Sequence, residues 1–390
     1  MYPHQAERLT EILDGTGLEA LIATREPNVA YITGFRGLNH TVFETPQYAV
    51  FSRRGTGLVV TNVEIASVVA DRIDVDHVAC FGGFLSAYDE RPDGDVTRIR
   101  DLMDARAGSP ADALASVLDA LGVRQGAVGL DEGGVTPAAW QRIAARLAGL
   151  TLAPGAEHFL VARRVKSPWE IERLGRGVHI VEEALNEVIA KLEPGMTERE
   201  AVRLYQAEVL KRGADPVPAL IATGARTWIP LPLPSDRALR ARDVVRFDVG
   251  CVFGGYHATV ARTAVAGEPD ARLESAYRAV RAGLEAAVAA VRPGVPPSRV
   301  YEAAVAATHG AGLATFTTGH VGHAIGLEPY ERPKLTRGRE TPLEAGEILR
   351  IELRHFEMGW AGLNVKETVL VTTAGARPLN RSSRDLTVLD

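Results

Sequence analysis

The pattern of apolar residues changes near residue 155, and this change constrains the fold more than any other feature. Before it, short apolar runs with strand character alternate with helical patterns, from Ala20–Ala23 to Ala127–Leu130. Such alternation is typical of an α/β domain with a mixed or parallel sheet. After it, long helical patterns are interspersed with longer strand patterns. We therefore predict two domains, residues 1–155 and 156–390, with the Pro- and Gly-containing segment 151–164 as the boundary.

The second domain opens with two clear helix starts. Ser167 is a predicted N-cap, followed by Pro168 at the first helical position and Glu170 at the third, and Thr197 with Glu200 repeats the capping box. These helices are predicted to run to about residues 192 and 212. Further helices are predicted over residues 271–291 and 298–309, and strands over 244–249, 256–265, 348–353 and 365–372. The expected fold is α+β, with helices covering a curved, mostly antiparallel sheet.

Composition excludes several classes of protein. The chain has 46% hydrophobic and 24% charged residues, which is ordinary globular usage and excludes a disordered or fibrous protein. A net charge of −5 without a basic stripe argues against nucleic acid as the main partner. Neither a signal-like N-terminus nor an apolar run of bilayer length is present, so we expect a cytoplasmic protein that does not bind membranes. The two cysteines, Cys80 and Cys251, are expected to be free thiols.

Several motifs of the second half, in order, resemble the creatinase, prolidase and aminopeptidase P superfamily. They are RRVKSPWEIERLGRGVHIVEEAL (163–185), FDVG (247–250), GYHATVART (255–263), GHAIGLEPYERP (322–333), IEL (351–353) and VKETVLVT (365–372). Residues 17–35 resemble the domain that precedes the catalytic domain in that superfamily. The resemblance implies a creatinase/prolidase-type N-terminal domain, a pita-bread catalytic domain and a homodimer.

The resemblance also implies two divalent metal ions held by two Asp, one His and two Glu. Asp248, His323 and Glu352 match three of these five ligands. Thr259 stands where the second Asp is expected, and Lys366 stands where the last Glu is expected. Oxygen and imidazole ligands would suit Mn, Co or Zn, but a neutral hydroxyl and an ammonium do not. We therefore expect no metal ligands and no cofactor, with a divalent metal as the alternative.

The geometry of the strands supports this expectation. If the strands on either side of Phe253 and Gly254 pair as a hairpin, Thr259 lies directly opposite Asp248. Glu367 cannot take the place of Lys366, because neighbouring residues of a strand point to opposite faces. Lys366 is instead predicted to pair with Asp248 and Glu352 as part of a metal-free site, or to be a charge-neutralising relic.

Other polar and apolar positions are predicted to bind substrate. Leu231 and Tyr330 stand where the superfamily places two substrate-side histidines, and Leu231 belongs to an extended Pro-rich segment that is expected to border the cavity. The remaining candidates for substrate binding are Glu331, His257, Thr259 and His320. For His320, exposure to solvent is the expected alternative. His355 and Glu357 follow Glu352 and could form a rim of the site, but exposure to solvent is the expectation for both.

These residues lead to one main hypothesis and two alternatives. The main hypothesis is a divergent, metal-independent enzyme that acts on a small molecule, by C–N bond hydrolysis or related acid/base chemistry. His323 would be the general acid/base, Asp248 and Glu352 would orient it or hold a substrate cation, and Lys366 would stabilise an oxyanion or hold a carboxylate. The alternatives are a metal-dependent Xaa-Pro aminopeptidase or dipeptidase, and an inactive ligand-binding or scaffold homologue.

Overall fold

Two units make up the chain in the computed structural model, which describes residues 3–89, 91 and 93–389. They are Met1–Arg163 and Arg164–Asp390. Their architecture confirms the predicted fold class: the first unit has a mixed α/β sheet, and the second has mostly antiparallel sheets covered by helices. Among the described residues, no helix has the length and apolar character needed to cross a bilayer.

A six-stranded sheet lies at the centre of the first unit. Its helices are α1 (Pro3–Thr16), α2 (Glu26–Thr33), α3 (Leu38–Phe43), α4 (Ile65–Ala70), α5 (Gly94–Asp104), α6 (Pro110–Ala120), α7 (Pro137–Arg146) and α8 (Ala156–Ala162). Its strands are β1 (Ala20–Ala23), β2 (Tyr48–Ser52), β3 (Gly55–Thr61), β4 (His77–Phe81), β5 (Ala127–Leu130) and β6 (Thr151–Pro154). The strand order is β4-β3-β2-β1-β5-β6, with β2 antiparallel to both of its neighbours and the other pairs parallel.

The segment that we expected to be a boundary is structured and belongs to the first unit. Strand β6 pairs with β5, and helix α8 buries Phe159. The carboxylate of Glu132 accepts hydrogen bonds from the backbone N–H groups of Gly155 and Ala156, which satisfies donors at the start of α8. Pro and Gly here mark the turn between a strand and a helix, and the division between units lies further on, after Arg163.

The second unit contains two sheets of five strands each. Its helices are α9 (Pro168–Lys191), α10 (Glu198–Lys211), α11 (Ala271–Ala290) and α12 (Pro297–Gly310). Its strands are β7 (Asp215–Pro216), β8 (Leu220–Thr223), β9 (Val244–Phe253), β10 (Tyr256–Ala266), β11 (Gly322–Ala324), β12 (Glu331–Lys334), β13 (Ile348–Glu357), β14 (Ala361–Thr372), β15 (Gly375–Pro378) and β16 (Thr387–Leu389). One sheet has the order β16-β10-β9-β7, with β8 also paired to β9, and the other has the order β12-β11-β13-β14-β15.

Each sheet of the second unit is covered by its own pair of helices. Helices α9 and α10 pack on β9 and β10, and both predicted capping boxes, at Ser167 and Thr197, are present. Helices α11 and α12 pack on β13 and β14 in a second apolar core. The two sheets meet at β10 and β14, where Thr263 exchanges hydrogen bonds with the backbone of Asn364. The polar faces of the central strands therefore converge away from the helices.

Candidate active site

Alternation along β13 and β14 separates an apolar face from a charged face. Ile351 and Leu353 of β13, and Val365 of β14, point into the core under α11 and α12. The residues between them are polar, and they face each other in pairs across the two strands, because side chains alternate along a strand. These pairs are Arg350 with Thr368, Glu352 with Lys366, and Arg354 with Asn364.

Lys366 lies between the two retained acidic residues. Its Nζ is 2.5 Å from Oδ1 of Asp248 on β9 and 3.4 Å from Oε2 of Glu352 on β13. Asn364 Nδ2 donates to the other oxygen of Asp248 at 3.1 Å. One ammonium group thus neutralises two carboxylates that would otherwise repel each other in a buried position.

A second cation, Arg350, is hydrogen-bonded to His323. His323 on β11 is directly opposite Arg350 on β13, and Nη2 of Arg350 donates to Nε2 of the imidazole. The other ring nitrogen, Nδ1, donates to the carbonyl of Ala324 at 2.7 Å. Arg350 Nη2 also lies 3.4 Å from Oε1 of Glu352, and Nη1 donates to Oγ1 of Thr259 at 3.4 Å. The guanidinium therefore connects His323 and Glu352, which match two of the implied metal ligands, with Thr259, which replaces a third.

A third cation, Arg354, extends the charged cluster towards solvent. Its Nη1 donates to Oε1 of Glu352 at 3.0 Å, and its Nη2 donates to Nε2 of His320 at 2.8 Å. The side chain of Arg354 is 29% exposed and that of Asp248 is 20% exposed, whereas that of Glu352 is 1% exposed. Solvent and small molecules therefore reach this cluster at Asp248 and Arg354, and not at Glu352.

Burial and these cations set the charge states of the site. Burial would raise the pKa of Glu352, but the charges of Lys366, Arg350 and Arg354 hold that pKa well below its ordinary value. Burial together with the nearby Arg350 lowers the pKa of His323 to about 3. Glu352 is therefore an anion at neutral pH, and His323 is a neutral hydrogen-bond acceptor at Nε2.

A fourth cation, Arg246, lies on the same face of β9 as Asp248. Its side chain is fully buried; Nε donates to the carbonyl of Thr227 at 2.9 Å and Nη2 to that of Ile229 at 2.6 Å. Burial lowers its pKa to about 10, with Asp248 opposing this shift and Arg354 adding to it. Arg246 thus belongs to the same charged cluster, which we define as Arg246, Asp248, Arg350, Glu352, Arg354 and Lys366.

The predicted hairpin of β9 and β10 is correct in its faces but wrong in its register. Asp248 is opposite Ala261, and Thr259 is opposite Gly250, two pairs closer to the turn. The turn consists of Gly254 and Gly255, with φ of 55° and 87°, which is the left-handed conformation that a two-residue hairpin turn requires. Since the shift is two residues, Thr259 still shares a face with Asp248.

Besides Thr259, three of the predicted substrate-binding residues lie at this face. Tyr330 is 59% exposed and stacks on His323, with ring centroids 4.1 Å apart and an interplanar angle of 25°. Half-buried His257 lies two residues from Thr259 on the same face of β10. His320 is also part of the site: it is 8% exposed, which corrects the expectation of a solvated histidine. Burial lowers its pKa to about 4.

Two other predicted residues have different surroundings. Glu331 is buried and forms an ion pair with Lys166, with Lys166 Nζ 2.8 Å from Glu331 Oε2. The carboxylate of Glu331 therefore has a structural partner and is not placed to bind a substrate. Leu231 is 77% exposed, and its segment is fixed through the carbonyl of Ile229, which accepts from Arg246. The exposure expected for His355 is also wrong, because it is buried on the opposite face of β13 from Glu352.

Sequence reasoning missed Arg350, Arg354, Asn364 and Arg246. The signal was available for the first three, because residues two apart on a strand share a face. Arg350 and Arg354 lie two residues before and after Glu352, so they share its face of β13. Asn364 lies two residues before Lys366 and shares its face of β14. Arg246 stands two residues before Asp248, and the same rule applies to it.

The side chains present do not fit a pair of metal ions. Two carboxylates and one imidazole remain of the implied ligand set, and all three already interact with the ammonium of Lys366 or the guanidinium of Arg350. The positive charges of Lys366 and Arg350 at this site oppose the binding of a divalent cation. Glu367 cannot substitute, since Arg384 Nε lies 2.6 Å from its carboxylate on the other face of β14. In the described part of the chain, no group of three or more His, Cys, Asp or Glu residues is arranged to hold a metal.

Comparison with known proteins identifies the families of both units. Residues 172–373 match the model of metallopeptidase family M24, and residues 5–165 match the creatinase/prolidase N-terminal domain. The chain is 22% identical over 385 residues to an uncharacterized peptidase, YqhT, of Bacillus subtilis, covering 98% of this chain and 99% of that protein. It is 29% identical over 227 residues to a Xaa-Pro dipeptidase of Pyrococcus furiosus, covering 57% of this chain and 65% of the dipeptidase.

A solved structure agrees over the whole length. The X-Pro aminopeptidase of Thermotoga maritima superposes with a TM-score of 0.82 and 21% sequence identity, covering 98% of this chain and 99% of that one. At this level of identity the likeness establishes the fold. Together with the matched family models, it shows that the chain belongs to metallopeptidase family M24, of the creatinase, prolidase and aminopeptidase P superfamily, with a creatinase/prolidase N-terminal domain before its pita-bread domain.

Proposed function

We propose that this protein is a metal-independent hydrolase that cleaves a C–N bond of a small molecule at the charged cluster. The observation that carries the proposal is the position of Lys366, whose Nζ lies 2.5 Å from Asp248 and 3.4 Å from Glu352. During hydrolysis, negative charge develops on the oxygen of a carbonyl substrate or on the nitrogen of an amidine substrate. The ammonium between the carboxylates supplies the positive charge that stabilises it.

The geometry favours Asp248 over His323 as the general base. Nε2 of His323 accepts a hydrogen bond from Arg350 and Nδ1 donates to a backbone carbonyl, so neither nitrogen is available for proton transfer in this arrangement. Asp248 is the more exposed of the two cluster carboxylates. In the proposed reaction, water adds to the carbon, Asp248 takes its proton, and the same proton passes to the nitrogen as the C–N bond breaks.

The other residues have positioning roles in this proposal. His323 orients Arg350, and Arg350 and Arg354 keep Glu352 ionised. Tyr330, stacked on His323 and exposed, is placed to donate a hydrogen bond to the substrate. Thr259 and His257 share the face of Asp248 and would line the same space. We propose that the protein is a homodimer, as the resemblance implies, and that it is cytoplasmic, as expected from its sequence.

The second candidate function is metal-dependent cleavage of Xaa-Pro peptides. Its support comes from the comparisons, since the relatives are named as Xaa-Pro dipeptidases and the matched family is one of metallopeptidases. These names favour the metal-dependent alternative over our main proposal. The side chains of the cluster favour the metal-free reaction. A catalytically inactive scaffold is the third possibility.

One experiment separates these functions. Small amides, ureas, guanidines and Xaa-Pro dipeptides are incubated with protein treated with EDTA and with protein supplied with Mn²⁺. We expect turnover of a C–N substrate to survive EDTA treatment and to be lost in Lys366→Met. Lys191→Met is the matched control, because Lys191 is half exposed on α9 and pairs only with Glu187 among the ion pairs of the described residues. Turnover that appears only with Mn²⁺ would establish the metal-dependent alternative.

A further inference from the structure

We propose, on the basis of the function proposed above, that the charged cluster binds a small oxyanion, the carboxylate of the substrate, at its exposed edge, beside Arg354. The substrate would therefore be a carboxylic acid that also carries the scissile C–N bond. In the implied metal site, carboxylates would surround metal cations. In this cluster, cationic side chains would surround an anion.

The first support is the balance of charge. Four cationic side chains and only two carboxylates form the cluster, which gives a net charge of +2. Protonation of His320 or His323 would only add to this charge. Arg246, Arg350 and Lys366 are all at most 3% exposed, so solvent screens their excess charge weakly. Buried charges without counter-charges are costly, and an anionic ligand would reduce that cost.

The second support is a set of donors without acceptors. Within the described residues, Nη1 of Arg246 and Nε of Arg350 are buried and have no hydrogen-bond partner. Both belong to side chains that are more than nine-tenths buried. A guanidinium presents its N–H groups in a planar fork that matches the two oxygens of a carboxylate, so an oxyanion is the ligand that satisfies such donors best.

The third support is access. Arg354 is the cluster cation with the greatest exposure to solvent, and it lies opposite Asn364, whose Nδ2 donates to Asp248, two residues from Arg246 on the same face of β9. A ligand entering beside Arg354 would meet Asp248 and Lys366 next, because Asp248 is the exposed carboxylate of the cluster. A carboxylate held at this edge would leave the rest of a small substrate over the proposed catalytic groups.

Isothermal titration calorimetry tests this proposal with malonate, succinate and inorganic phosphate as probes. Titrations use the full chain at constant ionic strength set with NaCl, on the wild type, Arg354→Gln and Arg299→Gln. Arg299 is the matched control, because its side chain is 71% exposed on α12 and pairs with Glu302, which is not part of the cluster. Circular dichroism and Tm confirm that each variant is folded, and metal content is measured on the same samples.

We expect saturable binding of a dicarboxylate to the wild type and to Arg299→Gln. In Arg354→Gln the affinity should be weaker by about ten-fold, because a hydrogen bond to a charged group is lost. No saturable heat with the wild type, or equal affinity in Arg354→Gln, would overturn the proposal. Binding of phosphate without either dicarboxylate would overturn the assignment to a carboxylate. If the samples hold metal ions, the proposed function fails, whereas metal-free samples that bind no oxyanion refute only this inference.

Discussion

Lys366 and Glu352 lie directly opposite each other on β14 and β13, with Nζ 3.4 Å from Oε2. Directly opposed residues of antiparallel strands are the closest neighbours in a sheet, so a residue at position 366 determines the charge that Glu352 meets. With Asp248 at 2.5 Å, the ammonium completes a triad of one cation and two anions.

Replacement of Lys366 by Met should destabilise the protein. The substitution leaves Asp248 and Glu352 without their shared cation, and removing one partner of a buried ion pair costs about 3 kcal/mol. Urea unfolding of Lys366→Met, with the exposed Lys191→Met as control, measures the loss. A loss no larger than that of the control would mean that the ammonium is not a structural counter-charge.

Restoring the implied ligands should restore metal binding only when Arg350 is also removed. The double variant Thr259→Asp/Lys366→Glu regains all five implied side chains, but Arg350 still donates to Nε2 of His323. We expect the double variant to retain little Mn²⁺ after desalting and the triple variant, with Arg350→Ala, to retain it. Mass spectrometric metal analysis gives the ions per chain. Full occupancy in the double variant would contradict the role assigned to Arg350.

Replacement of Asp248 by Asn should abolish most turnover with little change in KM. Asn keeps the shape and one hydrogen-bond acceptor but cannot take a proton, and loss of a general base lowers kcat by about 100-fold or more. Asp236→Asn is the control, since Asp236 is 84% exposed and pairs with Arg199. If His323→Gln loses more activity than Asp248→Asn, the proton acceptor is the imidazole after all.

The contribution of His320 and His323 to stability should fall on acidification below pH 6.5. The pKa of His320 is lowered to about 4 and that of His323 to about 3, while both titrate near 6.5 in the unfolded chain. Between these values the unfolded chain binds more protons than the folded one, so each imidazole reduces the free energy of unfolding by up to about 1.4 kcal/mol per pH unit. Urea unfolding at pH 7.5 and 5.5 measures the fall. His320→Gln should reduce this pH dependence, and an unchanged dependence would show that His320 is not the buried neutral group described.

The sequence predicted the fold because its local signals agree with its tertiary structure. The capping boxes at Ser167 and Thr197 start α9 and α10, since an N-cap hydrogen bond depends only on neighbouring residues. The register of β9 and β10 was less accessible, because it depends on which two residues form the turn. Gly254 and Gly255 do so, and taking Phe253 and Gly254 instead moves the pairing of Asp248 by two residues.

The candidate site was predicted in part. The positions of Asp248, Glu352 and Lys366 on shared faces follow from alternation along strands, and the structure brings their charged groups together. The excess of arginines was missed because only positions matching a known ligand set were considered. Burial of His320 depends on its contact with Arg354, across a long separation in sequence, and local pattern carries no signal for it.

Metal content tests the central claim most directly. The wild-type protein is incubated with Mn²⁺, Co²⁺ or Zn²⁺, desalted, and analysed for ions per chain. Because Lys366 and Arg350 already neutralise the remaining ligands, we predict retention close to zero, together with C–N bond hydrolysis that EDTA does not inhibit. Two tightly held ions per chain would contradict this account, and would show that the cluster opens to form the dinuclear site of a metallopeptidase.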